Sequence, residues 1–253
     1  MAALDTEVDL ATVADVPFVT AARERRGVVA IATIESSDRQ NFILARADRG
    51  ITRARDLIGK RVAIIPGTSS QAFLDAFLIA YSIPKRNLEL VLLTPETIGP
   101  AFEQGKVDAV SLWALPAAML TEKPGANFRV FGDEGLYVHN WILVAHKERA
   151  TLKQAQIQKL LRALLRAEEF EAERREQAIK IVADRLGITE AQLTRVWPNF
   201  NFNVGLHQYF LLSLEMHERL IRQHPLDAET NFVTTMMFEP LEAVDPTRIT
   251  AIH

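Results

Sequence analysis

No cysteine occurs in the 253 residues. Disulfides, thiolate catalysis and Cys-ligated zinc or iron–sulfur centres are therefore excluded. Long apolar runs are missing too: no uninterrupted stretch reaches the roughly 18–20 residues of a spanning helix, so no membrane span is expected. A large excess of one charge sign is absent as well. The formal net charge is -3, which supplies no electrostatic reason to expect nucleic acid or an anionic membrane as partner. The basic run Arg23-Glu24-Arg25-Arg26 is short and broken by an acid, and reads as a solvated helix end. The six His residues are scattered, without His-Glu-x-x-His or carboxylates at ligand spacing, so no metal site is expected. Neither a Gly-x-Ser-x-Gly elbow nor a P-loop is present. No cofactor and no catalytic residue is expected. Asp5, Glu7 and Asp9 stand where a leader would carry basic and then apolar residues, so no signal peptide is legible. Read from this start alone, the expected compartment is the cytoplasm.

What is present is ordinary for a globular chain, 48% hydrophobic and 24% charged residues, and long enough for two modest domains. One phrase occurs twice. Val8-Asp9-Leu10-Ala11-Thr12-Val13-Ala14-Asp15-Val16-Pro17 is matched by Val107-Asp108-Ala109-Val110-Ser111-Leu112-Trp113-Ala114-Leu115-Pro116. Each copy runs Val-Asp, later a small hydroxyl residue, an aliphatic residue, and finally Pro. A short apolar run closed by Pro predicts a buried strand that turns into a helix. Two copies predict two α/β lobes, an arrangement that commonly holds a ligand between its halves.

Strands are expected at 8–14, 28–34, 42–45, 61–65, 88–93, 107–113, 128–131 and 141–145, with a short helix over 17–25. Thr68-Ser69-Ser70-Gln71, after the Pro66-Gly67 turn, has the spacing of a capping box. Phe73, Ala76, Phe77 and Ala80 follow at helical spacing. A second helix is expected over 98–104. Strand–helix alternation from 61 to 113 predicts a parallel sheet with crossover helices. The polar stretch 48–60 and the segment 132–137 read as crossings between lobes. From Thr151 onward the pattern is helical: 154–174 with a stripe of Ile157, Leu160, Leu161, Leu164 and Leu165, then 176–186, a capping box at Thr189–Gln192, and 206–224. The charge run Glu168–Arg175 reads as a solvated face. The tail from 231 reads as loop with a short helix near Met236. The first phrase is preceded by seven residues and the second by a strand–helix–strand unit. A first lobe that begins part-way is therefore expected, with an uncovered sheet edge and a deficit of several kcal/mol of burial against a usual total of about 5–15. Aggregation or dependence on a partner is the expected consequence.

The run Asp56-Leu57-Ile58-Gly59-Lys60-Arg61-Val62-Ala63, then Gly67-Thr68-Ser69-Ser70, Gly105-Lys106-Val107-Asp108-Ala109, and Trp113 with Pro116, resembles the solute-binding proteins of ABC transporters. The branch is the sulfonate, taurine and nitrate type, which includes pyrimidine-precursor (thiamine-biosynthesis) relatives. Val13-Ala14-Asp15-Val16-Pro17 is similar to that family's first-lobe strand. The resemblance implies an α/β, type II periplasmic-binding-protein fold: two lobes joined by two crossover segments, with a helical C-terminal part and a truncated first lobe. Lobe 1 would be residues 1–48 plus 137–253, and lobe 2 residues 49–136. It implies a small organic anion as ligand, an ABC permease and ATPase as partners, and a periplasmic location.

The residues suggest where such a ligand would bind. A helix N-terminus with hydroxyls suits a sulfonate, carboxylate or phosphate oxygen. Thr68, Ser69 and Ser70 are candidates on that ground, against the reading that Thr68 only caps and the serines face water. Trp113, late in its strand, is an apolar wall with one donor or a core residue. Asp15 binds a ligand ammonium or hydroxyl, or caps its helix, the second being favoured. Ser36, with Glu35 and Ser37, follows another strand end. Tyr137 and Asn140, with His139, lie in the return segment. Three functions fit: a transporter's binding protein, an enzyme on the same fold (pyrimidine-precursor or menaquinone-pathway-like), or the ligand-sensing module of a signalling protein.

Overall fold

The computed structural model describes residues 4, 8–24, 26–122, 127–132, 134–221 and 229–252. The leader reading at Asp5 and Glu7, Arg25 of the basic run, Asp133, and the 222–224 end of the last expected long helix lie outside them. In chain order the elements begin β1 (Leu10–Ala14), α1 (Asp15–Arg23), β2 (Val28–Ser37), β3 (Asn41–Arg46), β4 (Arg61–Ile64), α2 (Ser69–Ala80), β5 (Glu89–Leu92), α3 (Pro95–Glu103), β6 (Ala109–Trp113) and α4 (Ala114–Thr121). There follow β7 (Phe128–Phe131), β8 (His139–His146), α5 (Lys147–Leu152), α6 (Gln154–Glu173), α7 (Arg175–Leu186), α8 (Glu190–Val196), β9 (Phe202–Gly205), α9 (Gln208–Ile221) and α10 (Glu239–Glu242). The chain forms two compact units: Met1–Ser36, Asn140–Ile181 and Asn201–His253 make one, Ser37–His139 and Val182–Phe200 the other.

The first unit is built on a four-stranded sheet of order β1-β8-β2-β9. β1 lies antiparallel to β8, Leu10 opposite Ala145 through Ala14 opposite Trp141, and β2 antiparallel to β9. β2 is buried along nearly its whole length, the pattern of a strand covered on both faces. Phe18 of α1 and Phe210 of α9 meet with ring centroids 6.5 Å apart, beside Ile31, Ile142, Val144 and Leu161. Each such buried side chain contributes roughly 1.5–3 kcal/mol. The α6 stripe faces this core as its spacing predicts, Ile157 and Leu161 fully and Leu160, Leu164 and Leu165 partly. The charge run on α6 is less solvated than expected: Glu168 accepts from the Val204 N–H (2.7 Å) and from Arg248 Nη1 (2.7 Å).

The second unit carries a five-stranded sheet of order β5-β4-β6-β3-β7. β5, β4 and β6 are parallel, as the strand–helix alternation requires; β3 is antiparallel to both β6 and β7. That pairing moves a boundary. Residues 37–48, expected with 1–48, belong here because β3 bonds to β6 and β7. Residues 182–200, expected with 137–253, also belong here: Gln192 Nε2 donates to Glu122 Oε2 at 3.0 Å and Arg195 pairs with Glu122 at 3.4 Å.

The repeated phrase is a repeated strand-to-helix turn. Its N-cap residues, Ala14 and Trp113, have φ/ψ of −75°/167° and −80°/161°, and neither side chain caps. Pro17 and Pro116 are the third helical residues, where a missing N–H costs no intrahelical bond. The Asp of each copy is ion-paired ahead of its strand, Asp9 with Lys153 at 2.6 Å and Asp108 with Arg61 at 2.9 Å. The surroundings differ. β6 lies between β4 and β3, whereas β1 is an edge strand with β8 alone beside it among the described residues.

Candidate functional site

In the second unit, β4 and β6 are adjacent and parallel, so their carboxyl ends bring the β4–α2 turn and Trp113 together. Gly67 makes that turn with φ +70°, a conformation costly for residues with a Cβ. Thr68 is the N-cap: its Oγ1 accepts from the Ser70 N–H (3.2 Å) and donates to the Ile65 carbonyl (2.7 Å). The expected capping box is altered, since Gln71 Oε1 accepts from the Gly67 N–H (3.1 Å) rather than that of Thr68.

The two serines that follow are both buried and differ in their bonds. Ser70 is fully buried and donates from Oγ to the Ser111 carbonyl at 2.7 Å, while Ser111 Oγ donates to the Ser70 carbonyl at 2.7 Å. Ser70 Oγ also accepts the Ile65 N–H at 3.2 Å. Its one proton is thereby committed, so Ser70 clamps α2 to β6 and has none to offer a ligand. Ser69 Oγ accepts the Trp113 indole N–H at 2.7 Å, which leaves its own hydroxyl proton to donate. The Ser69 N–H opens the helix, where no intrahelical carbonyl can reach it. Trp113 is half-buried. A hydroxyl, a helix-end N–H and an indole edge thus converge at the carboxyl ends of two parallel strands, a setting that suits an anionic oxygen.

Tyr137 is also in this unit but is buried in its core, edge-on to Phe73 at 6.3 Å and 84°. That packing corrects its reading as a lining residue. His139 is buried as well.

In the first unit, Asp15, Ser36 and Asn140 are brought together. Asp15 is fully buried; Oδ1 accepts the Val16 N–H (2.7 Å) and Oδ2 the Asn140 N–H (2.8 Å). It is the first helical residue, not the N-cap, because α1 starts two residues before Pro17. His217 Nδ1 lies 3.6 Å from Asp15 Oδ2. Asn140 Oδ1 accepts from Ser36 Oγ (2.9 Å), and Asn140 Nδ2 donates to Ser213 Oγ (2.9 Å). All five side chains are buried, and these bonds tie α1, β2, β8 and α9 together. Nearby, Tyr209 accepts from Asn203 Nδ2 (3.1 Å), and burial raises its phenol above the ordinary value. Glu35 is buried, and Ser37 donates to the Asn199 carbonyl at 2.6 Å.

The sequence reading missed Ser111, Ser213, His217 and Asn41. The first three are partners of residues it named, found through sheet pairing and α9 packing. Ser111 did carry a signal, as the hydroxyl residue of the repeat. Asn41 is recognisable only from the β3–β6 register. Among the described residues no His/Cys/Asp/Glu group could hold a metal ion, and no helix is long and apolar enough to cross a membrane.

Comparison with solved structures places these units in a class. The alkanesulfonate-binding protein SsuA of Xanthomonas axonopodis pv. citri, solved bound to MOPS, matches with a TM-score of 0.79 at 20% identity, over 94% of this chain and 83% of that one. The desulfurization enzyme DSZB matches with a TM-score of 0.69 at 14% identity, over 94% of this chain and 85% of that one. The fold is the type II periplasmic-binding-protein fold. Among curated proteins, one of Escherichia coli (strain K12) named as an aliphatic sulfonates-binding protein is 25% identical over 181 residues, 72% of this chain and 56% of that protein. The chain thus spans about half the length of the curated relatives it matches. The family model described as NMT1/THI5 like matches residues 2–178, and the chain belongs to that family.

Proposed function

We propose that this chain binds a small organic anion (a sulfonate, a taurine-like or nitrate-like anion, or an aromatic acid) and passes it, in the periplasm, to the permease and ATPase of an ABC transporter. The observation that carries the reading is the 2.7 Å bond from Trp113 Nε1 to Ser69 Oγ at the first turn of α2. It keeps a hydroxyl proton and a helix-end N–H directed at one place beside an apolar ring. These groups hold an anion without a titratable side chain, which suits reversible capture. Ser69 and Trp113 are the ligand contacts in this reading, Thr68 shapes the turn, and Ser70, Asp15, Ser36 and Asn140 form the scaffold.

An enzyme on the same fold is the second reading, and the Asp15–His217 pair is the feature that favours it. Both side chains are fully buried, and the Asp15 oxygens are bonded to backbone N–H groups, which supports a structural role instead. A thermal-shift panel tests the binding reading. An anion present at 100 times its Kd raises stability by about 2.7 kcal/mol. The expected result is a rise with at least one of methanesulfonate, taurine, MOPS, nitrate and benzoate; no rise with any of them refutes the binding reading.

A further inference from the structure

Asn41, the first residue of β3, is 3% exposed. Neither its Nδ2 nor its Oδ1 has a hydrogen-bond partner among the described residues. Buried side-chain amides are normally bonded, and an orphan asks for an explanation.

Its position supplies one. Asn41 stands opposite Trp113 in the β3–β6 ladder. The Ala114 N–H bonds the Gln40 carbonyl at 2.9 Å, so residues 40 and 114 form a hydrogen-bonded pair. The next pair, Asn41 and Trp113, is then of the close, non-hydrogen-bonded kind, with both side chains on one face of the sheet. Ser111, two residues before Trp113, shares that face and bonds the first turn of α2. Asn41, Trp113 and Ser69 therefore occupy the same face at the same end of the sheet. Trp113 cannot satisfy the amide, because its single N–H is given to Ser69 Oγ.

We infer that the Asn41 carboxamide is a ligand-binding group of this site, donating from Nδ2 to an oxygen of the bound anion. This rests on the reading that the site takes an organic anion. The indole is held by Ser69, and the amide has no partner among the described residues. In the loaded chain the anion takes up the Ser69 hydroxyl proton, the Ser69 N–H and Asn41 Nδ2, three neutral donors around one acceptor group.

The test is isothermal titration calorimetry of the full chain with MOPS and with methanesulfonate, alongside thermal melting. Asn41→Leu removes both orphan atoms at similar volume. The expected result is at least a ~10-fold loss of affinity, about 1.4 kcal/mol, with a melting temperature equal to or above that of the unmutated chain, since an apolar side chain suits a dry pocket better than an unbonded amide. Asn41→Asp sets a carboxylate against the anion and is expected to lose more. Undiminished affinity in Asn41→Leu and Asn41→Asp, with weakened binding in Ser69→Ala, overturns the role of Asn41 and leaves the anion site standing. A lowered melting temperature with unchanged affinity likewise overturns it, because the amide is then structural. Should the Leu variant not fold, Asn41→Ser is read by the same criteria. No heat from either probe with the unmutated chain overturns the anion site and the role of Asn41 together.

Discussion

Ser69 and Ser70 are neighbours in sequence with opposite assignments, and substituting each in turn separates scaffold from site. Ser70→Ala deletes the bond to the Ser111 carbonyl and strands the Ile65 N–H inside the second unit. A lost buried bond removes about 0.5–1.5 kcal/mol, and a buried donor left without a partner costs about 1–3 more. The sum is about 3 kcal/mol. At roughly 2–4 °C per kcal/mol for a chain of this size, the melting temperature is expected to fall by about 6–12 °C. Ser69→Ala deletes a single acceptor for a half-buried indole whose N–H can turn to water, so its cost is expected to stay below about 1 kcal/mol. Calorimetric melting and urea unfolding of both variants measure the contrast. The Ser70→Ala/Ser111→Ala double mutant should couple by about 0.5–3 kcal/mol, because the two hydroxyls bond each other's backbone. Equal stability of Ser69→Ala and Ser70→Ala, or a double mutant that is simply additive, refutes the clamp.

Other outcomes follow from the same geometry. Gly67→Ala is expected to destabilise by about 1–2 kcal/mol, measured by urea unfolding: φ +70° strains any L residue, although nothing lies within 4 Å of the added Cβ. Burial works against ionising Asp108, yet the Arg61 guanidinium and N–H hold its carboxyl below the ordinary value. The folded pKa being depressed, this contribution is full above about 4 and fades as pH falls through the folded value; Asp108→Asn should flatten the acid limb of a stability–pH curve and cost about 1.5–3 kcal/mol at neutral pH. The Asp56 carboxylate accepts from the Thr52 N–H and hydroxyl and then from the Arg53 N–H, which brings it down to about 2. Its NMR titration should therefore show a midpoint near that value, and an ordinary midpoint would contradict the turn geometry.

The repeat was the most legible part of the chain, because Pro at matched spacing fixes where each strand becomes a helix. The β4–α2–β5–α3–β6 alternation was equally plain, though α3 begins at Pro95, earlier than its apolar stripe suggested. β9 escaped notice because Phe202–Gly205 holds two apolar residues, Phe202 and Val204, where the equally short β7 holds three. β3 reads as a strand but carries no local mark of which sheet it joins; that depends on long-range pairing with β6 and β7. The candidate site shows the same division. Thr68, Ser69 and Ser70 are evident as hydroxyls at a helix start, but their different roles depend on the distant Trp113 and Ser111. Asp15 and Asn140 were named as candidate ligand contacts; their burial and their bonds, which no local pattern shows, tie the first unit together. Tyr137 carried no sign of its place beside Phe73.

The central claim is reversible capture of a small organic anion without chemistry. Native mass spectrometry of the chain incubated with methanesulfonate, taurine and MOPS, followed by recovery of the small molecule, tests it most directly. The expected result is a one-to-one complex with at least one of them, weakened by Ser69→Ala, and a ligand recovered unaltered. Absence of a complex with all three, or recovery of a converted product, would contradict it.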